Sequence, residues 1–422
     1  MGAALTLGLL TWSGPASAQD LSTQEAAESD PATPTKEKKK KKKKKDKEAQ
    51  GPADVFDKRG KKKNPIVSPA GQAEIKGRLV ARSELRAQRG TIVGLDGNIQ
   101  SGLIKSLNLS IPTARISLHY ESPVPWLTGE VELEIAGKPD LKDGYAQART
   151  GDFQIKAGQF KMPTAPQESV SPTALPSVHR GFMSDLLTDW LDVGGRRPGL
   201  MLTYHPRSLG WRPVLSAGAF QASTVVELLP GDRDTERIEF RSVNAQSLVA
   251  RAAIENGRVA LGAWFEHRLG SPNVNIARRY YTAGADLTWD AGDNGRLRAW
   301  LSGVVGQSWY RHNSRNTPET PDVPFAMGRA LAGYRVLGSE REAFYLEPFG
   351  FCGVMDPDLG LTKDFALETA IGINVGLWRR ARITVQLESV VVDSFFPKGS
   401  QGFLAGEDPR RESLYAQTML LF

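Results

Sequence analysis

The sequence has very little cysteine: Cys352 stands alone in 422 residues. A disulfide within the chain and a cysteine-built metal cluster are therefore excluded. Long apolar runs are missing too, and nothing approaches the roughly 20 residues that a membrane-spanning helix needs. The five histidines (His119, His179, His205, His267 and His312) sit in neither a nucleophile elbow nor a His-Glu-x-x-His pattern. A glycine-rich phosphate loop is also absent. The expectation is a chain that is not an enzyme and holds no cofactor or metal.

The longest apolar stretch comes first, MGAALTLGLLTW followed by SGPASAQD. It reads as a secretory signal over residues 1–18, cleaved after Ala16-Ser17-Ala18, although a basic segment before the apolar core is missing. Residues 19–70 read as a disordered periplasmic tail. They are rich in proline and carry an unbroken lysine run from Lys38 to Lys45. Adjacent ammonium groups repel one another and bury no face. Between Lys36 and Lys63 lie fifteen basic and five acidic residues, so the net charge of +7 is a property of this tail, and the remainder is slightly acidic. After a secretory signal, nucleic acid is not the expected partner. Anionic wall polymer or lipid headgroups are, with a partnerless solvated spacer as the alternative.

From residue 71 the texture changes. Segments of about ten residues alternate in polarity and break at Gly, Pro, Asn or Asp. In EIKGRLVARSELRA, Ile75, Leu79, Ala81 and Leu85 share one face, while Lys76, Arg78, Arg82, Glu84 and Arg86 share the other. In RITVQLES, Ile383, Val385 and Leu387 oppose Arg382, Thr384, Gln386 and Glu388. A period of two is a strand, not a helix. Sixteen such segments are expected: 71–87, 112–121, 128–137, 141–149, 152–161, 198–205, 213–221, 245–255, 257–268, 278–289, 295–309, 324–337, 341–354, 364–376, 379–392 and 411–422.

The connections alternate as well. Those following odd-numbered strands are mostly long (88–111, 162–197, 222–244, 269–277, 310–323, 355–363, 393–410), with 138–140 as the exception. Those following even-numbered strands are mostly tight. A soluble sandwich has no cause to keep that phase, and strands charged at every second position suit no dry core. A membrane barrel has both causes. The fold expected for residues 71–422 is an all-β, closed antiparallel transmembrane barrel of about sixteen strands in the outer membrane of a Gram-negative cell. Both termini are expected on the periplasmic side. The last residues, with Leu420 and Phe422 on the lipid face, read as the closing strand and its membrane-insertion signal.

At DGYAQARTGDFQIKAGQFKMP, Asp143 to Tyr145 precede a turn and then Gly158-Gln159-Phe160-Lys161-Met162-Pro163. This pair of segments resembles the two-strand signature of the phosphate-selective porin O and P family. His179-Arg180-Gly181 in the next long connection and Gly199-Leu200-Met201-Leu202 after it are similar to that family's pattern. The resemblance implies a sixteen-stranded, often trimeric porin that conducts small anions such as phosphate past arginines and lysines at a constriction. Its local motifs span about 140–205.

Assigning alternate residues to the lumen gives fifteen candidate cations, Lys76, Arg78, Arg82, Arg86, Arg115, Lys156, Arg258, Arg268, Arg278, Arg296, Arg298, Arg329, Arg335, Arg380 and Arg382, against nine candidate anions; all but Arg258, Arg268 and Arg278 are taken as the pore-lining set. Arginine's planar fork matches phosphate and carboxylate. Each of these cations can equally pair with a lumen carboxylate across strands. The connection 162–197 carries His179, Arg180, Arg196 and Arg197 and is expected either to fold inward as a constriction loop or to lie as a flap on the rim. Phe182, Met183, Leu186, Leu187, Trp190 and Leu191 would form a short amphipathic helix on the wall. The expected partners are outer-membrane lipid, small anionic solutes and two further copies of the chain. The alternatives are a non-selective porin, or a barrel that anchors a wall-binding tail and carries no specific solute.

Overall fold

The computed structural model describes residues 66–68, 71–93, 99–137, 139–164, 174–191, 193–206, 210–222, 245–269, 279–291, 296–308, 323–338, 344–360, 362, 364–377, 380–393 and 410–422. The expected signal and the lysine run lie outside them.

Sixteen long strands follow one another around a ring. They are β1 (Gly71–Val93), β2 (Ile99–Glu121), β3 (Leu127–Glu134), β4 (Asp140–Thr150), β5 (Phe153–Lys161), β6 (Arg196–Tyr204), β7 (Arg212–Ala222) and β8 (Ala245–Glu255). They continue with β9 (Val259–Leu269), β10 (Arg279–Ala291), β11 (Leu297–Ser308), β12 (Val323–Tyr334), β13 (Phe344–Asp356), β14 (Ala366–Leu377), β15 (Ala381–Val392) and β16 (Arg410–Leu421). Two short pieces, Ile66–Ser68 and Leu337–Gly338, pair with β1 and β13. Every neighbouring pair is antiparallel. The ring closes where β16 meets β1, with Leu414 opposite Leu85 and Leu420 opposite Leu79. Phe422 finishes the seam: its N–H donates to the Gly77 carbonyl at 3.1 Å, and its own carbonyl accepts from Gly77 N–H at 2.7 Å. The structure is thus a closed sixteen-stranded antiparallel barrel.

Each expected strand is present within a few residues, with one clear exception. Residues 88–111 were expected to be a long connection, but most of them extend β1 and β2 to 23 residues each. The pairing runs from Gln88–Ile104 to Val93–Ile99, so only 94–98 connect the two strands. Pro112, which breaks the sequence pattern, sits where the register slips by one residue, between the pairs Val80–Thr113 and Arg82–Ser110. A bulge tolerates proline because the ladder there does not need its missing N–H.

The polarity is inside out. Along β15 the outward residues Ile383, Val385 and Leu387 are 40–50% exposed, whereas the inward Arg382, Thr384, Gln386 and Glu388 are at most 5% exposed. Apolar side chains out and charged ones in is the reverse of a water-soluble core. It is what a sheet needs when hydrocarbon lies outside and all backbone polar groups must pair within the sheet. Among the described residues no helix is long and apolar enough to cross a membrane. Exposed aromatic side chains gather at the short-turn end: Tyr120, Trp126, Phe153, Trp211, Trp289, Tyr334, Phe344 and Phe422. Amphipathic rings favour the boundary between oil and water.

The tight turns at that end have local causes. In the turn between β8 and β9, Gly257 has φ +83°, which costs glycine little. The Asn256 Oδ1 accepts the N–H groups of Arg258 (3.0 Å) and Val259 (2.8 Å).

Candidate pore and its inserted segment

The connection between β5 and β6 does not stay on the rim. Its described part folds into the barrel as a short α-helix, α1 (Phe182–Asp185), running on into a π-helical turn (Leu186–Trp190). The expected short helix is therefore present. Phe182, Met183, Leu186, Leu187, Leu191 and Val193 are essentially fully buried. They pack against inward side chains of the wall, Trp264, Val304, Phe325, Met327, Met355, Ala366, Val390 and Val392. Ala174 and Leu175 pack against Trp300, Leu331, Phe351 and Ala370. Burying one such large apolar side chain is worth about 1.5–3 kcal/mol, so five of them supply on the order of 10 kcal/mol before the cost of ordering the chain.

Polar side chains of five strands fasten the same segment. Arg298 Nη1 and Arg382 Nη1 donate to the carbonyls of Ala174 (3.4 Å) and Leu175 (2.6 Å). Asn374 Nδ2 donates to Pro176 O at 2.8 Å. Val178 N–H donates to Gln386 Oε1 at 2.9 Å, and Arg82 Nη2 donates to Val178 O at 3.1 Å. The Glu368 carboxylate accepts the N–H groups of Phe182 (2.6 Å) and Met183 (3.1 Å), satisfying donors that a helix start leaves open. His179 Nε2 lies 2.9 Å from Glu388 Oε2, while its Nδ1 accepts the Gly181 N–H at 2.8 Å. An accepting Nδ1 places the ring proton on Nε2, facing the carboxylate. At the segment's base, Arg251 Nη1 donates to Thr164 O at 3.0 Å and forms a two-point pair with Asp286 at 2.7 Å.

The opposite wall, β1 to β7, keeps part of its inner face half-exposed, with Val80, Glu84, Phe160, Arg197 and Phe220 buried among the exposed positions. There Arg115 is held between Glu132 (2.7 Å) and Glu134 (2.6 Å). Arg196 makes a two-point pair with Asp143, both contacts at 3.0 Å. Arg78 stands opposite Arg115 in the register. Lys156 Nζ lies 4.1 Å from the Tyr145 ring centroid and 5.3 Å from that of Phe160. The Tyr145 hydroxyl donates to Glu130 Oε2 at 2.8 Å. Arg86 pairs with Glu84 at 2.8 Å and Lys76 with Glu74 at 3.3 Å.

The cations expected to line the lumen therefore divide into three sets. Lys76, Arg82, Arg86, Arg115 and Lys156 lie partly exposed on this wall, where Arg82 also donates to the inserted segment, and Arg78 lies buried within it. Arg298, Arg329, Arg335 and Arg382 are at most 5% exposed; Arg298 and Arg382 hold the inserted segment, and Glu347 lies 3.5 Å and 3.6 Å from the Nε atoms of Arg298 and Arg335. Arg296 and Arg380 sit outside the strands, at turns of the short-turn end. Arg196 and Arg197, placed by the sequence reading in the loop, instead open strand β6. His179 and Arg180 do belong to the inserted segment.

Sequence reasoning missed Arg251, Glu368, Asn374 and Gln386 as fasteners of that segment. It also missed the apolar inner positions Met355, Val390 and Val392 that seat it. A signal for the seat was present: at one end of β12 to β15 the inward positions turn from polar to apolar, against the alternation.

Comparison with solved structures finds the same architecture. The anion-selective porin from Comamonas acidovorans aligns with a TM-score of 0.52 at 14% identity, covering 83% of this chain and all of the other. The outer membrane channel DcaP of Acinetobacter baumannii aligns at 0.56 and 12% identity, covering 84% and 99% of the two chains. OprB of Pseudomonas putida aligns at 0.55 and 10% identity, covering 83% and 94%. Identities this low show a shared porin fold and nothing finer. No protein-family model and no curated protein matches the sequence, so the phosphate-selective family remains a resemblance confined to about 140–205.

Proposed function

We propose that this chain is an outer-membrane porin through which small anions diffuse passively. The observation that carries the reading is the inside-out barrel whose lumen is divided by an inserted segment. Residues of 174–193 pack on the inner face of β9 and β11 to β15, and the wall β1 to β7 carries the partly exposed Lys76, Arg82, Arg86, Arg115 and Lys156. Sixteen strands enclose more space than side chains alone fill. A wet path beside a fixed narrowing is what passive diffusion with a size limit requires, and sites for the ion must be weak enough to release it. The anion-selective character of the Comamonas acidovorans porin accords with this reading.

Phosphate is the solute class that the local resemblance favours. In this reading residues 1–18 are a removed signal, 19–70 a periplasmic tail that meets anionic wall polymer or headgroups, and the short turns and both termini face the periplasm. A homotrimer is the proposed assembly; OmpT of Vibrio cholerae, a neighbour in fold, is described in a trimer form.

The test is conductance of the purified protein in planar bilayers, with reversal potentials under a potassium chloride gradient and a competition series of phosphate, sulfate and dicarboxylates. Discrete steps with anion preference are expected. Absence of steps would leave the barrel as an anchor for its tail, and cation preference would overturn the anion assignment.

A further inference from the structure

Inside the barrel the arginines of the narrowing are already engaged. Arg115 and Arg196 face carboxylates at 2.6–3.0 Å, Arg86 faces Glu84, and Arg82 donates to Gln417 Oε1 (2.9 Å) and Val178 O. A paired guanidinium presents little net field to a passing ion, because its partner cancels it within a few ångströms.

The short-turn end differs. Arg258, in the turn between β8 and β9, Arg296, just before β11, and Arg380, just before β15, are all exposed. Among the described residues no carboxylate pairs with any of the three. Each stands two positions ahead of an inward residue: Ala260, Arg298 and Arg382 respectively. The alternation thus places them in phase with the lumen face, at its mouth. The sequence repeats the pattern: Asn256-Gly257-Arg258-Val259 and Asn294-Gly295-Arg296-Leu297 share Asn-Gly-Arg ahead of an apolar residue. Of the described acidic residues at this end, Asp290 stands opposite Arg298 in the register and donates its backbone N–H to the Arg258 carbonyl at 2.7 Å. Glu255 lies 3.2 Å from His205, Glu74 pairs with Lys76, and Glu121 lies on β2, across the ring, 3.7 Å from His119.

We infer that the charge preference of this channel is set at its short-turn mouth by Arg258, Arg296 and Arg380, and not at the narrowing beside the inserted segment. The inference rests on the porin reading above and deepens it. Three like charges in phase with the pore gather anions near the entrance and repel cations before either reaches the narrowing. Their field acts through water, so it carries a signature that charges packed in the wall lack. It is screened within about 10 Å at 0.1 M salt and within about 3 Å at 1 M.

The experiment measures reversal potentials of the full-length protein in planar bilayers of known insertion direction. Wild type is compared with a triple variant, Arg258→Gln, Arg296→Gln and Arg380→Gln, and with the corresponding triple lysine variant; heat-modifiable gel migration confirms folding. The glutamine variant is expected to lose at least about half of the anion-over-cation permeability ratio while keeping its conductance steps, and the lysine variant to retain the ratio. In wild type, raising salt from 0.01 M to 1 M on the short-turn side alone should erode the preference more than the same change on the long-loop side. This arm needs no variant to fold. An anion-preferring wild type whose ratio survives the glutamine substitutions, or is equally sensitive to salt on both sides, overturns this inference and leaves the porin reading intact. A wild type that prefers cations overturns both.

Discussion

Arg382 and Leu175 are 207 positions apart in sequence, yet the arginine's Nη1 donates to the leucine's carbonyl at 2.6 Å. That contact joins strand β15 to the segment folded into the barrel. A charge-assisted hydrogen bond of this kind contributes roughly 1.5–3 kcal/mol, against about 10 kcal/mol for the apolar side chains buried beside it. The seat is therefore mainly apolar, with polar fasteners fixing its register.

From this ranking, Arg382→Met should loosen the segment without releasing it. A double change, Leu186→Ser with Leu187→Ser, removes two fully buried anchors and places two hydroxyls in their site. It should release the segment, at a cost of several kcal/mol. Single-channel conductance should rise clearly in the double variant and little in Arg382→Met. Protease added to the folded protein should cut between 174 and 193 only in the double variant.

The outward face of β15 should not accept charge. Leu387 is half-exposed on the outer surface, and Leu387→Arg near the bilayer midplane should destabilise the barrel by about 2–4 kcal/mol. Urea-dependent folding into liposomes measures this. A change below 0.5 kcal/mol would show that the face meets water.

The seam should depend on the last residue. Phe422 pairs its backbone with Gly77, and a Cβ placed on Gly77 would overlap the Phe422 ring. Gly77→Val and Phe422→Ala should each slow barrel closure, read as a smaller heat-modifiable fraction at a fixed folding time. Gly77→Val should be the more severe, because it displaces the ring and crowds the seam.

Asp364, between β13 and β14, is buried, and Asp356 and Asp358 lie near it. Burial first, and then these like charges, raise its carboxyl to about 6. The neutral form is the one the fold favours. Its contribution is complete below the ordinary carboxylate value of about 3.9 and is lost as pH rises through about 6. Hydrogen exchange of the 357–365 connection should be slower at pH 5 than at pH 7, after correction for intrinsic rates. Asp364→Asn should remove the difference.

Much of the barrel was legible in the sequence because its cause is local. A strand between oil and water must alternate, so RITVQLES shows its phase without knowledge of any neighbour. The expectation failed at 88–111, where β1 and β2 run on past the span that one bilayer requires. Gly90, Gly94, Gly97 and Gly102 read as breaks there, yet the ladder continues through Gly90 and Gly102, opposite each other. The lumen assignment was harder. The period of two marks which face Arg298 and Arg115 occupy, but not whether a carbonyl, a carboxylate or water meets them.

The sequence by itself determined the strand phase and the apolar belt, because each follows from one segment's contact with two solvents, and the strand number followed from counting such segments. Only the tertiary structure decided that 174–193 packs inside the barrel, that Arg82, Arg298 and Arg382 serve it, and that Arg258, Arg296 and Arg380 stand together at the short-turn end. Those outcomes depend on which residues closure brings together across tens or hundreds of positions, and the register that selects them is a property of the whole ring.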